Sequence, residues 1–241
     1  MIVNERKLLG LRFADVDAAD AAAAIAARPA GAPFAYVVTP NADHLVRLAR
    51  EPTLLPLYGT AWMRLLDSRV VAMVAWALGM RPPRVATGSD VTAALLGPGE
   101  TITVIGLDTA YVPALIDSTG LAGIAHHNPP MGFENDPAAF RAAVAFALAH
   151  PARYVFLAVG SPRQERLAAA IAATGQATGT GLCIGAALEF VAGARRRAPR
   201  WMQRSALEWL ARLIAEPRRL WRRYLLDCPE VLRLLWRARC G

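Results

Sequence analysis

The sequence predicts an α/β protein: a mostly parallel sheet with helices on both faces, followed by a C-terminal helical basic appendage. Three observations carry this. Short apolar runs alternate with Ala-rich helical stretches over most of the 241 residues, the rhythm of parallel strands joined by crossover helices. The apolar runs are continuous, as strands are when both faces are covered. The last fifth breaks the rhythm and is rich in Arg, Trp and Leu.

Taken in order, 8–13 reads as a short strand and 17–28 as an Ala-rich helix stopped by Pro29 and Gly31. The run 34–38 (FAYVV) is a strand of the buried type. Thr39-Pro40-Asn41 follows, then a helix over 42–50. Residues 63–66 form a short strand ending at Asp67-Ser68, and 70–79 an apolar helix. The segment 84–90 (RVATGSD) is a loop in which Ser89 or Asp90 caps a helix to Leu96. A strand at 101–105, a helix from Asp108 and a strand at 123–125 lead to His126-His127-Asn128. A helix over 137–150, a strand over 154–159, a helix opened by Gly160-Ser161-Pro162-Arg163-Gln164-Glu165 and a strand over 180–184 complete the body.

Charge divides the chain into a body, 1–194, and an appendage, 195–241. The appendage holds 13 of the 27 basic residues, all Arg, against four of the 19 acids, leaving the body 14 basic and 15 acidic groups. The formal charge of +8 thus belongs to the appendage, together with Trp201, Trp209, Trp221 and Trp236. A guanidinium offers a planar fork that matches phosphate oxygens bidentately. Glu216-Pro217 splits the appendage into helices over 203–215 and 217–226, and Pro229 opens a third with Asp227 or Cys228 near its cap. Arg219, Arg222 and Arg223 fall at i, i+3, i+4 on one helical face. Leu207, Leu210, Leu213 and Ile214 form an apolar stripe.

Such an arm suits an anionic membrane surface, a phosphorylated ligand, or a solvated basic face. It carries no recognisable nucleic-acid-binding signature, so nucleic acid is not expected as a partner. Three scattered Cys form neither a metal pattern nor a disulfide framework and point to a reducing cytosol. The N-terminus does not read as a signal peptide, because charges precede any apolar core. The uncharged stretch 167–188 is interrupted by Thr, Gly and Gln, and reads as helix, turn and strand rather than a span. Membrane contact is therefore expected to be peripheral.

In open α/β sheets ligands bind beyond the carboxyl ends of the strands. That rule selects Thr39, Asn41, Asp67, His126, His127, Asn128, Arg163 and Gln164. Asp67 reads either as a turn carboxylate or as a general base facing a cleft. His126 and His127, neighbours on a strand, point to opposite faces and suit packing or substrate contact better than a metal. Gly160 to Glu165 reads either as a helix start with Glu165 complementing the dipole or as a loop whose Gln164 amide hydrogen-bonds a sugar or nucleotide. No Gly-x-Gly-x-x-Gly follows a strand, no phosphate loop with Gly-Lys-Ser/Thr is present, and no Asp-x-Asp stands ready for a divalent metal on a sugar nucleotide.

Several segments, in one order over nearly the whole chain, resemble the WecG/TagA/CpsF glycosyltransferase family (glycosyltransferase family 26). They are Val37-Val38-Thr39-Pro40-Asn41, Asp67 ahead of an apolar helix, Arg84 to Asp90, and Pro129-Pro130-Met131-Gly132-Phe133. Val159 to Glu165, Gly181 to Gly193, Arg197 to Arg204 with Leu207-Glu208-Trp209, and Arg212 to Tyr224 complete the series. The resemblance implies a Rossmann-like fold of the GT-E type. It implies transfer of a hexose-type sugar from a UDP-sugar to a polyprenyl-diphosphate-linked saccharide on the inner face of the cell membrane. Transfer would be inverting and metal-independent, with no cofactor, and the Pro-Pro-Met-Gly-Phe form is similar to the exopolysaccharide branch.

Residue by residue, the resemblance implies Asp67 as general base and Thr39, Asn41, Arg84 and Gln164 as pocket residues. It implies Arg212, Arg219 and Arg222 as holders of the donor diphosphate; Arg223 joins them on helical geometry. Asp67 is followed by Ser68-Arg69-Val70 where family members commonly show Gly. Two readings of other classes stand beside it: a non-enzymatic basic membrane- or polyanion-binding protein, and another nucleotide-using α/β enzyme. Apolar positions on the appendage suit either self-association into a homo-oligomer or membrane docking.

Overall fold

A computed structural model describes residues 4–194 and 228–240. Two short strands, β1 (Glu5–Leu8) and β2 (Leu11–Ala14), open the chain as an antiparallel hairpin. The single strand expected over 8–13 is broken because Leu9 and Gly10 both take positive φ, 48° and 82°, the geometry of a two-residue hairpin turn.

The core is a six-stranded sheet of β3 (Ala35–Val38), β4 (Met63–Arg64), β5 (Thr101–Gly106), β6 (Gly123–His127), β7 (Tyr154–Ala158) and β8 (Thr180–Cys183). Its order is β4-β3-β8-β7-β5-β6, and every neighbouring pair is parallel. The late strands β7 and β8 insert between β3 and β5. The carboxyl ends of β3, β8 and β7 therefore lie side by side at the middle of the sheet.

Side-chain alternation along the strands builds two cores. Tyr36, Val38, Ile105, Val155 and Leu157 join one with α2 (Ala42–Arg50), α4 (Arg69–Ala77), α7 (Pro137–Ala149) and α8 (Arg163–Ala173). Val37, Ile102, Val104, Tyr154 and Phe156 join the other with α1 (Ala18–Ala26), α5 (Gly88–Leu95), α6 (Val112–Thr119) and α9 (Ala187–Val191). Both faces of the sheet are covered, which explains the continuous apolar strands. The short α3 (Leu55–Gly59) bridges α2 and β4. The last described helix, α10 (Cys228–Cys240), seats Val231 and Leu235 against α2 and α4, and Glu230 pairs with Arg50. The expected helices over 203–215 and 217–226 lie outside the described residues.

Caps refine the expected boundaries. The helix expected behind Ser89 or Asp90 starts earlier, because Thr87 Oγ1 accepts from Asp90 N at 3.1 Å and donates to Asp90 Oδ2 at 2.7 Å. Ser68 caps α4 by accepting from Val71 N at 3.2 Å. β6 runs on through both histidines to His127. Among the described residues no helix is long and apolar enough to cross a membrane.

Candidate active site

Three segments converge beyond the carboxyl end of β3. Thr39, directly after the strand, is buried and donates from Oγ1 to Cys183 O at 3.0 Å, tying β3 to the end of β8. Asp67 follows β4, and its N–H donates to Pro40 O at 2.9 Å, continuing the parallel pairing past the strand ends. The third segment is the first turn of α5: Gly88 N donates to Asp67 Oδ2 at 3.3 Å. The half-buried Asp67 carboxylate therefore faces a helix N-terminus, where unpaired N–H groups and the dipole favour negative charge.

Gly88 suits this close approach. A Cβ built on it would stand 3.2 Å from Thr39 Oγ1, tight enough that one of the two must give by a few tenths of an ångström, and 3.6 Å from Asp67 Oδ2, an ordinary contact; a branched side chain there would crowd Thr39. Sequence reasoning read 84–90 as a motif without singling out Gly88; the signal was a glycine at a helix start beside two strand ends.

Asn41 caps α2, accepting at Oδ1 from Asp43 N at 3.1 Å and His44 N at 3.3 Å, while Asn41 N donates to His44 Nδ1 at 3.2 Å. Its side chain thus organises the helix start that leads away from the Thr39 turn. Gln164 is 2 % exposed. Its Nε2 donates to Glu165 Oε1 at 2.9 Å and its Oε1 accepts from Gly185 N at 2.9 Å. Both ends of the amide that was expected to meet a sugar are used inside the protein, joining the loop after β7 to the loop after β8.

Arg84, also expected in the pocket, is held by acids at the start of α1. Its guanidinium donates to Asp15 O, to Asp17 Oδ2 at 3.1 Å and to Asp20 Oδ2 at 2.9 Å, and its N–H donates to Asp15 Oδ1 at 2.9 Å. Asp17 is the N-cap of α1 and Asp20 lies in its first turn. Three acids grouped there draw the guanidinium to the opposite end of the 84–88 segment from Gly88. Burial opposes ionisation of Asp15, yet the Arg84 N–H and the Arg6 guanidinium hold its carboxyl below the usual range. Arg212, Arg219, Arg222 and Arg223 lie outside the described residues.

The remaining strand-end residues pack. His126 Nε2 lies 3.0 Å from Gly106 O and 3.1 Å from Leu107 O. His127 stacks on Phe146 at 5.1 Å between centroids, and burial, with His126 beside it, pushes its pKa down. Arg163 lies 3.9 Å from Glu134 across the loops after β6 and β7. Among the described residues no three His, Cys, Asp or Glu side chains come together as a group able to hold a metal.

Unforeseen was a largely buried polar group joining α2, α3 and the start of α8. Arg47 Nη2 donates to Asp43 Oδ2 at 2.9 Å and Nη1 to Ser161 Oγ at 3.1 Å, and Tyr58 OH lies 3.4 Å from the same hydroxyl. Glu165 is 1 % exposed; burial raises its pKa, against the opposing hydrogen bonds of Gln164 and Ser161. Burial also pushes up the Tyr58 hydroxyl and the Cys183 thiol.

A doubly wound parallel sheet with a carboxylate and a helix N-terminus beyond the carboxyl ends of β4 and β3 has the layout in which α/β proteins bind ligands. The family model described as the glycosyl transferase WecG/TagA/CpsF family matches residues 6–241. The chain belongs to that family, and is a glycosyltransferase of polysaccharide synthesis. No curated protein matches it.

Proposed function

We propose that the protein transfers a hexose-type sugar from a UDP-sugar to a polyprenyl-diphosphate-linked saccharide by inverting displacement, in exopolysaccharide synthesis. The carrying observation is Asp67, held by the Gly88 N–H at the sheet's carboxyl edge beside Thr39. The acceptor hydroxyl oxygen attacks the anomeric carbon and its proton passes to the Asp67 carboxylate. The bond from that carbon to the diphosphate oxygen breaks, and its electron pair leaves with UDP. Thr39 and Asn41 line the acceptor side, and Gln164 holds the neighbouring loops in register. Arg84 supports the pocket from behind by anchoring the segment that ends at Gly88.

The departing diphosphate needs cations. In this reading the body, 1–194, carries the base, and the appendage, 195–241, supplies Arg212, Arg219, Arg222 and Arg223 without a metal. Donors aimed at charge that develops in the transition state contribute strongly to rate. Inner-face membrane placement is supported by a surface on α4 and α10. Trp76 is 74 % exposed and Trp236 56 %, flanked by the exposed Met73 and Leu232 and by Arg233, Arg237 and Arg239. Aromatic and aliphatic groups beside arginines suit an anionic bilayer.

The test is UDP release with a short-chain lipid-diphosphate saccharide acceptor and a panel of UDP-sugars. Asp67→Asn is expected to lower turnover by roughly 100-fold or more, the scale of a lost general base, with UDP affinity kept within about threefold. Full turnover in that variant removes Asp67 from the role. Arg219→Ala is expected to lower kcat/KM by about 100-fold, the scale of one lost charge-stabilising donor, and an unchanged value removes the appendage from diphosphate binding.

A further inference from the structure

Glu165 is an acid that the proposed reaction does not use, yet it is 1 % exposed. Its place in the first turn of α8 explains a negative charge, but an exposed acid would meet the dipole equally well. A carboxyl in that interior is unfavourable unless surrounding groups need its oxygens.

One such group donates to it directly, and two others adjoin it. Glu165 Oε1 accepts from Gln164 Nε2 at 2.9 Å, which fixes the direction of the Gln164 amide, so that Gln164 Oε1 meets Gly185 N at 2.9 Å. Reversed, the amide would set its NH2 against the Gly185 N–H, donor against donor. On the other side His44 Nε2 lies 3.8 Å from Glu165 Oε1, and His44 Nδ1 takes the Asn41 N–H at 3.2 Å. Cys183 Sγ donates to Gln164 O at 3.5 Å, and Cys183 O in turn accepts from Thr39. The loops after β3, β8 and β7, three adjacent strands, thus meet around one carboxyl.

We infer that Glu165 is a positioning residue. Its carboxyl sets the Gln164 amide, and through Gln164 and His44 it holds the loops carrying Gly185, Thr39 and Asn41 at the spacing the pocket needs. The inference rests on the reading of this crevice as the UDP-sugar site. Leu at 165 keeps the volume and removes the acceptor; Gln keeps an acceptor oxygen and removes the charge.

The experiment measures UDP affinity of the full chain by titration calorimetry, thermal stability, and the Gln164 side-chain amide signals by NMR, assigned by their loss in Gln164→Ala. Glu165→Leu is expected to weaken UDP binding about tenfold, the scale of one displaced hydrogen-bonded loop contact. Glu165→Gln is expected to restore it to within about threefold. In a Gln164→Ala background Glu165→Leu should add nothing, as for two residues acting as one unit. The Gln164 amide signals should shift and lose exchange protection in Glu165→Leu alone.

A folded Glu165→Leu that binds UDP like the wild type, or whose loss is as large without Gln164 as with it, overturns the inference. Should Glu165→Leu not fold, a Gln164→Ala protein that binds UDP normally overturns it. Should the wild type not bind UDP, the proposed function fails instead. Unchanged Gln164 amide signals in Glu165→Leu would still overturn the positioning role.

Discussion

Two polar clusters, around Arg84 and around Glu165, hold the segments of the candidate site by different physics. Around Arg84 the guanidinium is 51 % exposed, as is Asp17, and Asp20 is 50 % exposed. Water screens such pairs, so each contributes about 0–1 kcal/mol. The cluster is long, many-membered and individually replaceable. Around Glu165 the groups Gln164, His44, Tyr58 and Cys183 are all buried. There a misplaced donor has no water to turn to, and leaving one buried polar group unpaired costs about 1–3 kcal/mol. The exposed cluster fastens a segment; the buried one dictates which way an amide points. Burial, more than the number of charges, decides how much geometry a cluster can enforce.

The largest effect should come from breaking what both clusters serve. Gly88→Val sets a branched side chain where even a Cβ meets Thr39 at 3.2 Å. It is expected to lower turnover by about tenfold or more, since misplacement near 1 Å is costly to catalysis, while the melting temperature falls far less steeply. Wild-type turnover in a folded Gly88→Val would mean the close approach is irrelevant to chemistry.

A smaller effect separates the buried cluster by pH. The folded protein raises the Glu165 pKa, so it favours the neutral carboxyl. Stability from this group is present below the ordinary carboxylate range and is lost as pH rises through the raised folded value. Facing it are His44, Arg47, Tyr58 and Cys183. Glu165→Gln cannot ionise there, so its melting temperature should gain on the wild type as pH rises from 5 to 8. A difference that stays constant, or runs the other way, would show that the carboxyl is not held neutral.

The smallest effect is expected for Arg84→Ala. It should cost under about 1 kcal/mol, less still at high salt, and leave UDP affinity within about threefold. A larger loss of affinity would return Arg84 to direct contact with substrate and undo the contrast between the clusters.

Much of this was legible in the residues. FAYVV at 34–38 and YVFLA at 154–158 are apolar without interruption, and such strands point to helices on both sides of a parallel sheet. The rule of strand ends selected Thr39, Asn41, Asp67 and Gln164, and the structure brings Thr39 and Asp67 together through Gly88. What escaped was the partner of each group. Arg84 resembles a pocket arginine in RVATGSD, but Asp15, Asp17 and Asp20 lie 64–69 residues away in sequence. Glu165 looked like a helix-dipole acid, because nothing local says that it is buried. The Leu9-Gly10 turn was hidden inside an apolar run.

The sequence by itself determined the layer architecture, the separation of a near-neutral body from an Arg-rich appendage, and the family to which the chain belongs. These follow from periodicity, composition and the spacing of local motifs, which a linear string carries in full. Only the tertiary structure decided that β7 and β8 insert between β3 and β5, that Gly88 presses against Thr39 and Asp67, and that a buried carboxyl sits where three loops meet. Strand order and hydrogen-bond partnership arise from contacts between residues distant in the chain, and burial, which sets the strength of those bonds, exists only once the chain has closed around them.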